Sequence, residues 1–160
     1  MKDKKPEFNG IGHIGMVVSD LQECMERFGQ VFEIESSLIY DFLPKRAWVR
    51  GKEIMDCRFR IAMATLKNGS QIEMIEAVSG ETPHKEFIDA GGQGIHHIAF
   101  YTDRYDQWIN YFKGLDISIL FEAEAEDDIK GYRRCFYAED PKLRCIVEFT
   151  EISRYKEKQV

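Results

Sequence analysis

Four residues of this chain have the types and spacing of a metal centre: His13, Glu73, His97 and Glu148. The histidines stand in two versions of one phrase, Gly10-Ile11-Gly12-His13-Ile14-Gly15 and Gly94-Ile95-His96-His97-Ile98-Ala99. These superimpose with a shift of 84 residues and put Ile95 on Ile11, Ile98 on Ile14 and Ala99 on Gly15. The glutamates stand inside two apolar runs, Gln71-Ile72-Glu73-Met74-Ile75 and Cys145-Ile146-Val147-Glu148-Phe149. An ionised carboxylate in such a run is costly unless it is paired or bound to a cation. A lone histidine in an apolar strand is ordinarily a core residue, but a histidine and a glutamate that both recur in equivalent places are a set. Imidazole nitrogen and carboxylate oxygen together suit one divalent ion (Co, Ni, Mn, Zn or Mg), with positions left for water or substrate.

Neighbouring polar residues call for separate readings. Gln71 lies two residues from Glu73 on the same strand face, so it can replace Glu73 as a ligand or touch the substrate. His96 occupies the slot of Gly12, and strand alternation should turn it away from the metal. His84 has no duplicate and reads as a surface residue. Glu76 and Glu151 read as solvated, and the acidic run at 122–128 as a solvated loop.

The elements that must position these groups also come twice. Residues 11–18 read as a strand, Ser19 or Asp20 caps a helix with Leu21, Met25 and Phe28 on one stripe, and strands follow at 36–42, 57–66 and 71–78. Asn68-Gly69 marks a hairpin between the last two. Thr82-Pro83 opens a short connector helix that ends at Gly91-Gly92. The order then repeats: a strand at 95–102, a helix from Asp103 or Arg104 to about Lys113, and strands near 117–122, 132–138 and 143–150. The expected fold is α+β, two tandem βαβββ modules whose curved mixed sheets surround a metal cleft. One domain spans 10–152 (module one 10–79, connector 80–93, module two 94–152), with tails at 1–9 and 153–160.

Composition limits the function classes. A chain of 160 residues that is 44% hydrophobic can bury a full core, which excludes a disordered protein. A net charge of −6 speaks against a nucleic-acid binder. The cysteines at 24, 57, 135 and 145 have no Cys-x-x-Cys spacing and lie in apolar runs, which fits buried thiols in a reducing, cytoplasmic compartment. No signal-like or membrane-spanning stretch is evident.

At the paired His and Glu motifs the chain resembles the vicinal oxygen chelate superfamily, which includes glyoxalase I, methylmalonyl-CoA epimerase, extradiol dioxygenases and drug-resistance proteins. Within it, the run from Gln71-Ile72-Glu73 through Phe87-Ile88 to Gly94-Ile95-His96-His97-Ile98-Ala99-Phe100 is most similar to the epimerase group. That resemblance implies a homodimer with His13, Glu73, His97 and Glu148 as metal ligands. It also implies proton removal alpha to a thioester carbonyl, with Glu148 as one base and Asp56, where the epimerases have glutamate, as the other. Glyoxalase I-type lactoylglutathione lyase is the alternative reading. An extradiol-type dioxygenase, which needs iron with one carboxylate fewer, and a non-catalytic binding protein rank below it.

A separate clue lies in residues 43–60, which carry six basic side chains against two acids in a chain that is acidic overall. Arg46, Arg50 and Arg58 are the expected contacts for the anionic groups of a small-molecule substrate such as an acyl-CoA.

Overall fold

The computed structural model describes residues 4–7 and 9–152; apart from residues 4–7 and 9, the expected tails lie outside the described residues. The elements are β1 (His13–Val17), α1 (Leu21–Val31), β2 (Ile34–Phe42), β3 (Arg46–Val49), β4 (Lys52–Ile54), β5 (Arg58–Leu66), β6 (Gln71–Ser79), α2 (Pro83–Asp89), β7 (Gly94–Tyr101), α3 (Tyr105–Gly114), β8 (Ser118–Asp127), β9 (Gly131–Asp140) and β10 (Cys145–Ile152). This is the α+β arrangement of two βαβββ modules that the repeated phrases predict.

All ten strands form one mixed sheet in the order β2-β5-β6-β1-β7-β10-β9-β8-β3-β4. Its centre is the antiparallel pair β1–β7, one strand from each module, flanked by β6 parallel to β1 and β10 parallel to β7. The sheet must curl. β2 ends one edge at Phe42 and β3 begins near the other edge at Arg46, a gap the chain can span over at most about 14 Å. The two edges are thereby drawn together into a cup.

The repeat helices cover the outside of that cup. Asp20 caps α1 by accepting from the Glu23 N–H, and the Glu76 carboxylate accepts from the Leu21 N–H at 2.8 Å, so Glu76 is a helix-capping group rather than a solvated one. Leu21 then packs with Val18, Ala62 and Met74. On α3, Trp108, Ile109 and Phe112 pack on Phe136 and Phe149. The apolar residues of the concave side, among them Tyr40, Phe42, Phe59, Phe121 and Tyr137, form a second core layer that faces inward.

Two stretches differ from expectation. The acidic run at 122–128 continues β8 as far as Asp127, because its acids alternate with alanine: Ala123 and Ala125 are buried, while Glu124 lies between Arg46 of β3 and Arg134 of β9. The period-2 pattern was present, and the charge count masked it. The basic segment forms the β3–β4 hairpin, which extends module two by pairing Ala47 with Ala123.

Candidate metal centre

The register of the four central strands explains how the ligands meet. Glu73, Gly15 and His97 lie side by side on β6, β1 and β7; His13, Ala99 and Glu148 lie side by side on β1, β7 and β10. Each row therefore holds a carboxylate from one module, an imidazole from the other, and a small residue between them. Two such rows, two residues apart on one face, leave a hollow over Gly15 and Ala99 into which four side chains point. The hollow is obligatory at Gly15, where a Cβ would come within 2.0 Å of the His97 ring.

His13 Nε2 stands 3.1 Å from Glu73 Oε2 and 3.3 Å from Glu148 Oε2; His97 Nε2 stands 3.5 and 3.1 Å from the same two oxygens. Bonds of about 2.1 Å put adjacent ligands about 3.0 Å apart in an octahedron and about 3.4 Å apart in a tetrahedron, so the four atoms fit one divalent ion. The satisfaction of polar atoms agrees: among the described residues, both Nε2 atoms and Glu148 Oε2 are buried without a hydrogen-bond partner.

The atoms behind the ligands are engaged. Tyr101 Oη donates to Gln71 Oε1 at 3.3 Å and so accepts from His13 Nδ1–H at 3.1 Å. This turns the His13 Nε2 lone pair toward the cluster, where it could hold a metal. His97 Nδ1 lies 3.1 Å from Nδ1 of His96, whose charged form is disfavoured by burial and by His97 and whose pKa falls to about 4. A neutral His96 accepts the His97 proton and fixes that ring in the same way. Thr150 Oγ1 donates to Glu148 Oε1 at 2.6 Å and leaves Oε2 to the cluster. Gln71 thus supports a ligand through Tyr101, whereas the Glu73 carboxylate is itself in the cluster.

Electrostatics without metal make the centre a proton trap. Burial opposes charge on His13, but Glu73 and Glu148 outweigh it and raise the imidazole to about 10. Glu73 is held down at about 2, with burial overcome by His13 and His97. In the metal-free protein the His13 pair stabilises the fold fully below the ordinary histidine pKa, and that contribution is lost as pH rises through about 10. A metal must displace this proton. Metal affinity measured by competition with a chelator is therefore expected to strengthen by about tenfold per pH unit between pH 6 and 9. A pH-independent affinity would contradict the charged His13.

The centre opens into a cavity lined by His13, Glu73 and Glu148 and by the aromatic rings of Tyr40, Phe42, Phe59, Phe121 and Tyr137. Several expected site residues lie elsewhere. Asp56 is exposed on the turn before β5, where its backbone and carboxylate accept from Ser79 Oγ, and it does not line the cavity. Arg46 is paired with Glu53 and Arg50 with Glu86, both at the surface, and Arg58 is exposed at the start of β5. None of the three arginines reaches the cavity. Of the local excess of positive charge, Lys45, Arg46 and Arg50 are engaged in surface pairs.

The cavity also holds Lys130 and Arg133, which sequence reasoning passed over, and His84, which reads as a surface residue in the sequence but is buried. Arg133 is held by Asp127 at 2.7 Å and lies 4.9 Å above the Phe42 ring. Lys130 Nζ lies 4.8 Å above the Tyr40 ring and, among the described residues, has no ion-pair partner. Burial pushes the Lys130 pKa down, against the pull of Glu73 and Glu148. No signal in the sequence separated Lys130 and Arg133 from the other basic groups, because the end of β8 that leads into their turn reads as a solvated acidic loop between two shorter strands. Glu151 is likewise not solvated but buried against Arg134 at 2.7 Å.

Fold and site together define a two-module cleft of the vicinal oxygen chelate type. Residues 12–136 match the family model for the glyoxalase/bleomycin resistance protein/dioxygenase superfamily, and the chain belongs to that family. Among solved structures it is similar to methylmalonyl-CoA epimerase from Mycobacterium tuberculosis, with 17% identity over 94% of this chain and 93% of that one and a TM-score of 0.66. A methylmalonyl-CoA epimerase from Streptomyces coelicolor in complex with 2-nitronate-propionyl-CoA aligns at 16% identity, 92% and 99% coverage and a TM-score of 0.60. A hypothetical protein from Bacillus halodurans aligns at 22% identity, 89% and 93% coverage and a TM-score of 0.60. No curated protein sequence matches the chain. These likenesses establish the fold. No helix among the described residues is long and apolar enough to cross a membrane.

Proposed function

We propose that the protein is a metal-dependent isomerase that removes and returns a proton alpha to a thioester carbonyl, as an epimerase of carboxylated acyl-CoA esters. The observation that carries this reading is the convergence of two imidazoles and two carboxylates, with three of their atoms buried and unpartnered, at the end of an open aromatic cavity. A divalent ion bound by His13, Glu73, His97 and Glu148 supplies Lewis-acid polarisation of the substrate carbonyl.

The chain's own residues do the rest. Glu148, oriented by Thr150, accepts the alpha proton from one side. Asp56, the second base that the family resemblance assigns, stands outside the cavity; Glu73, on the opposite strand of the symmetric set, is the second carboxylate the cavity offers. The aromatic walls exclude water from the alpha carbon. Lys130 meets the substrate's negative charge, the role first assigned to the arginines of the β3–β4 region. Lys130→Met is accordingly expected to raise KM for an anionic substrate by about tenfold or more with a smaller change in kcat. Equal KM values would remove Lys130 from the substrate site.

Solvent deuterium exchange followed by proton NMR tests the activity. The metal-loaded protein is expected to wash deuterium into the alpha position of methylmalonyl-CoA. The lyase reading keeps second place because both glutamates of the centre are ligand-side bases. Turnover of the glutathione hemithioacetal, with no exchange in any acyl-CoA, would make it the function. The expected homodimer is part of the proposal, and sedimentation analysis reads it directly.

A further inference from the structure

His84 is a polar group of the cavity that the metal centre leaves unused. Thr82 caps α2 and Pro83 opens it, so His84 is fixed in the first turn of the connector and points inward. The residue is 2% exposed, and neither Nδ1 nor Nε2 has a hydrogen-bond partner among the described residues. Its ring meets Phe59 edge-on at 4.9 Å, Tyr137 at 5.0 Å and Phe121 at 5.6 Å, and stacks on His96 at 5.1 Å.

A neutral imidazole carries one donor and one acceptor, and burying both unmet costs folding free energy that a leucine or phenylalanine in the same aromatic slot would not incur. No described residue supplies a partner. His84 lines the same cavity as His13, Glu73 and Glu148. We propose that His84 hydrogen-bonds an oxygen atom on the alpha substituent of the bound substrate. The favoured substrates then carry a hydroxyl or carbonyl oxygen there instead of a bare methyl group. The proposal rests on the chelated-acid reading above and narrows its substrate class.

Discrimination of this kind is strong when a site is built to bond a hydroxyl, because the analogue without it leaves a buried polar group unmet. The test uses manganese-loaded wild-type protein, His84→Leu and His84→Phe, titrated calorimetrically with malonate, methylmalonate and hydroxymalonate. Wild-type protein is expected to bind hydroxymalonate about tenfold or more tighter than methylmalonate, and both variants to lose that preference while still binding malonate. Both variants should also melt at a higher temperature than wild type, the opposite of what loss of a packing residue gives. A hydroxymalonate preference unchanged in both variants, or none in wild type, overturns the role of His84. A second equivalent of manganese that disappears with His84 would also overturn it, in favour of a metal on His84, His96 and His97. Failure of all three dianions to bind the loaded wild type would instead bring down the chelated-acid reading itself.

Discussion

Gly15→Ala is expected to remove the metal centre while leaving the fold in place. The new Cβ would lie 2.0 Å from Cε1 and Nε2 of His97, an overlap that only rotation of the imidazole can relieve. Overpacking of a buried site costs about 1–3 kcal/mol, which a domain of this size survives. The ligand does not survive it, because rotation carries Nε2 away from Glu73 and Glu148. Elemental analysis after dialysis should find the variant largely metal-free, with circular dichroism close to wild type. Ala99→Gly, at the equivalent place in the other row, should keep its metal, since it only enlarges the hollow. Full metal occupancy in Gly15→Ala would mean that His97 is not a ligand.

Glu148→Gln should have the largest effect on chemistry. The amide keeps the shape and the Thr150 hydrogen bond but cannot accept a proton, and loss of a positioned base costs about 10²–10⁴ in rate. Metal binding weakens too, so the rate has to be read with the ion saturating. Under that condition, exchange of the alpha proton is expected to survive for one stereoisomer, the one whose proton faces Glu73. Asp56→Asn, at a position outside the cavity, should still invert its substrate. Exchange of both isomers at the wild-type rate in Glu148→Gln would place the base elsewhere, and loss of inversion in Asp56→Asn would return the second base to that turn.

The convergence of His13, Glu73, His97 and Glu148 was legible because duplication writes the same constraint twice. A glutamate in an apolar strand is a puzzle by itself, and its recurrence beside a recurring histidine is an explanation. The helices and most strands were legible for local reasons: the Asp20 cap, the Thr82-Pro83 start and alternation along 71–78. The cavity wall was not. Lys130 and Arg133 sit beside an acidic run whose charge hid the alanine alternation of β8, and the β8–β9 turn that aims them inward depends on pairing over the whole hairpin. His84 was misplaced because nothing in a seven-residue helix tells which face the sheet covers. Arg46 and Arg50 were overvalued because a count of charge along the chain cannot see Glu53 and Glu86 across from them.

The side-by-side rows of the centre bear on stereochemistry. Glu73–Gly15–His97 and Glu148–Ala99–His13 exchange under a half-turn about the axis between β1 and β7, so the frame presents one carboxylate on each side of that axis. An enolate lying on that axis would have one carboxylate of the frame toward each face, which is what removal of a proton from one face and its return to the other require. The groups without a copy, His84 in the connector and Lys130 on the β8–β9 turn, break that two-fold relation.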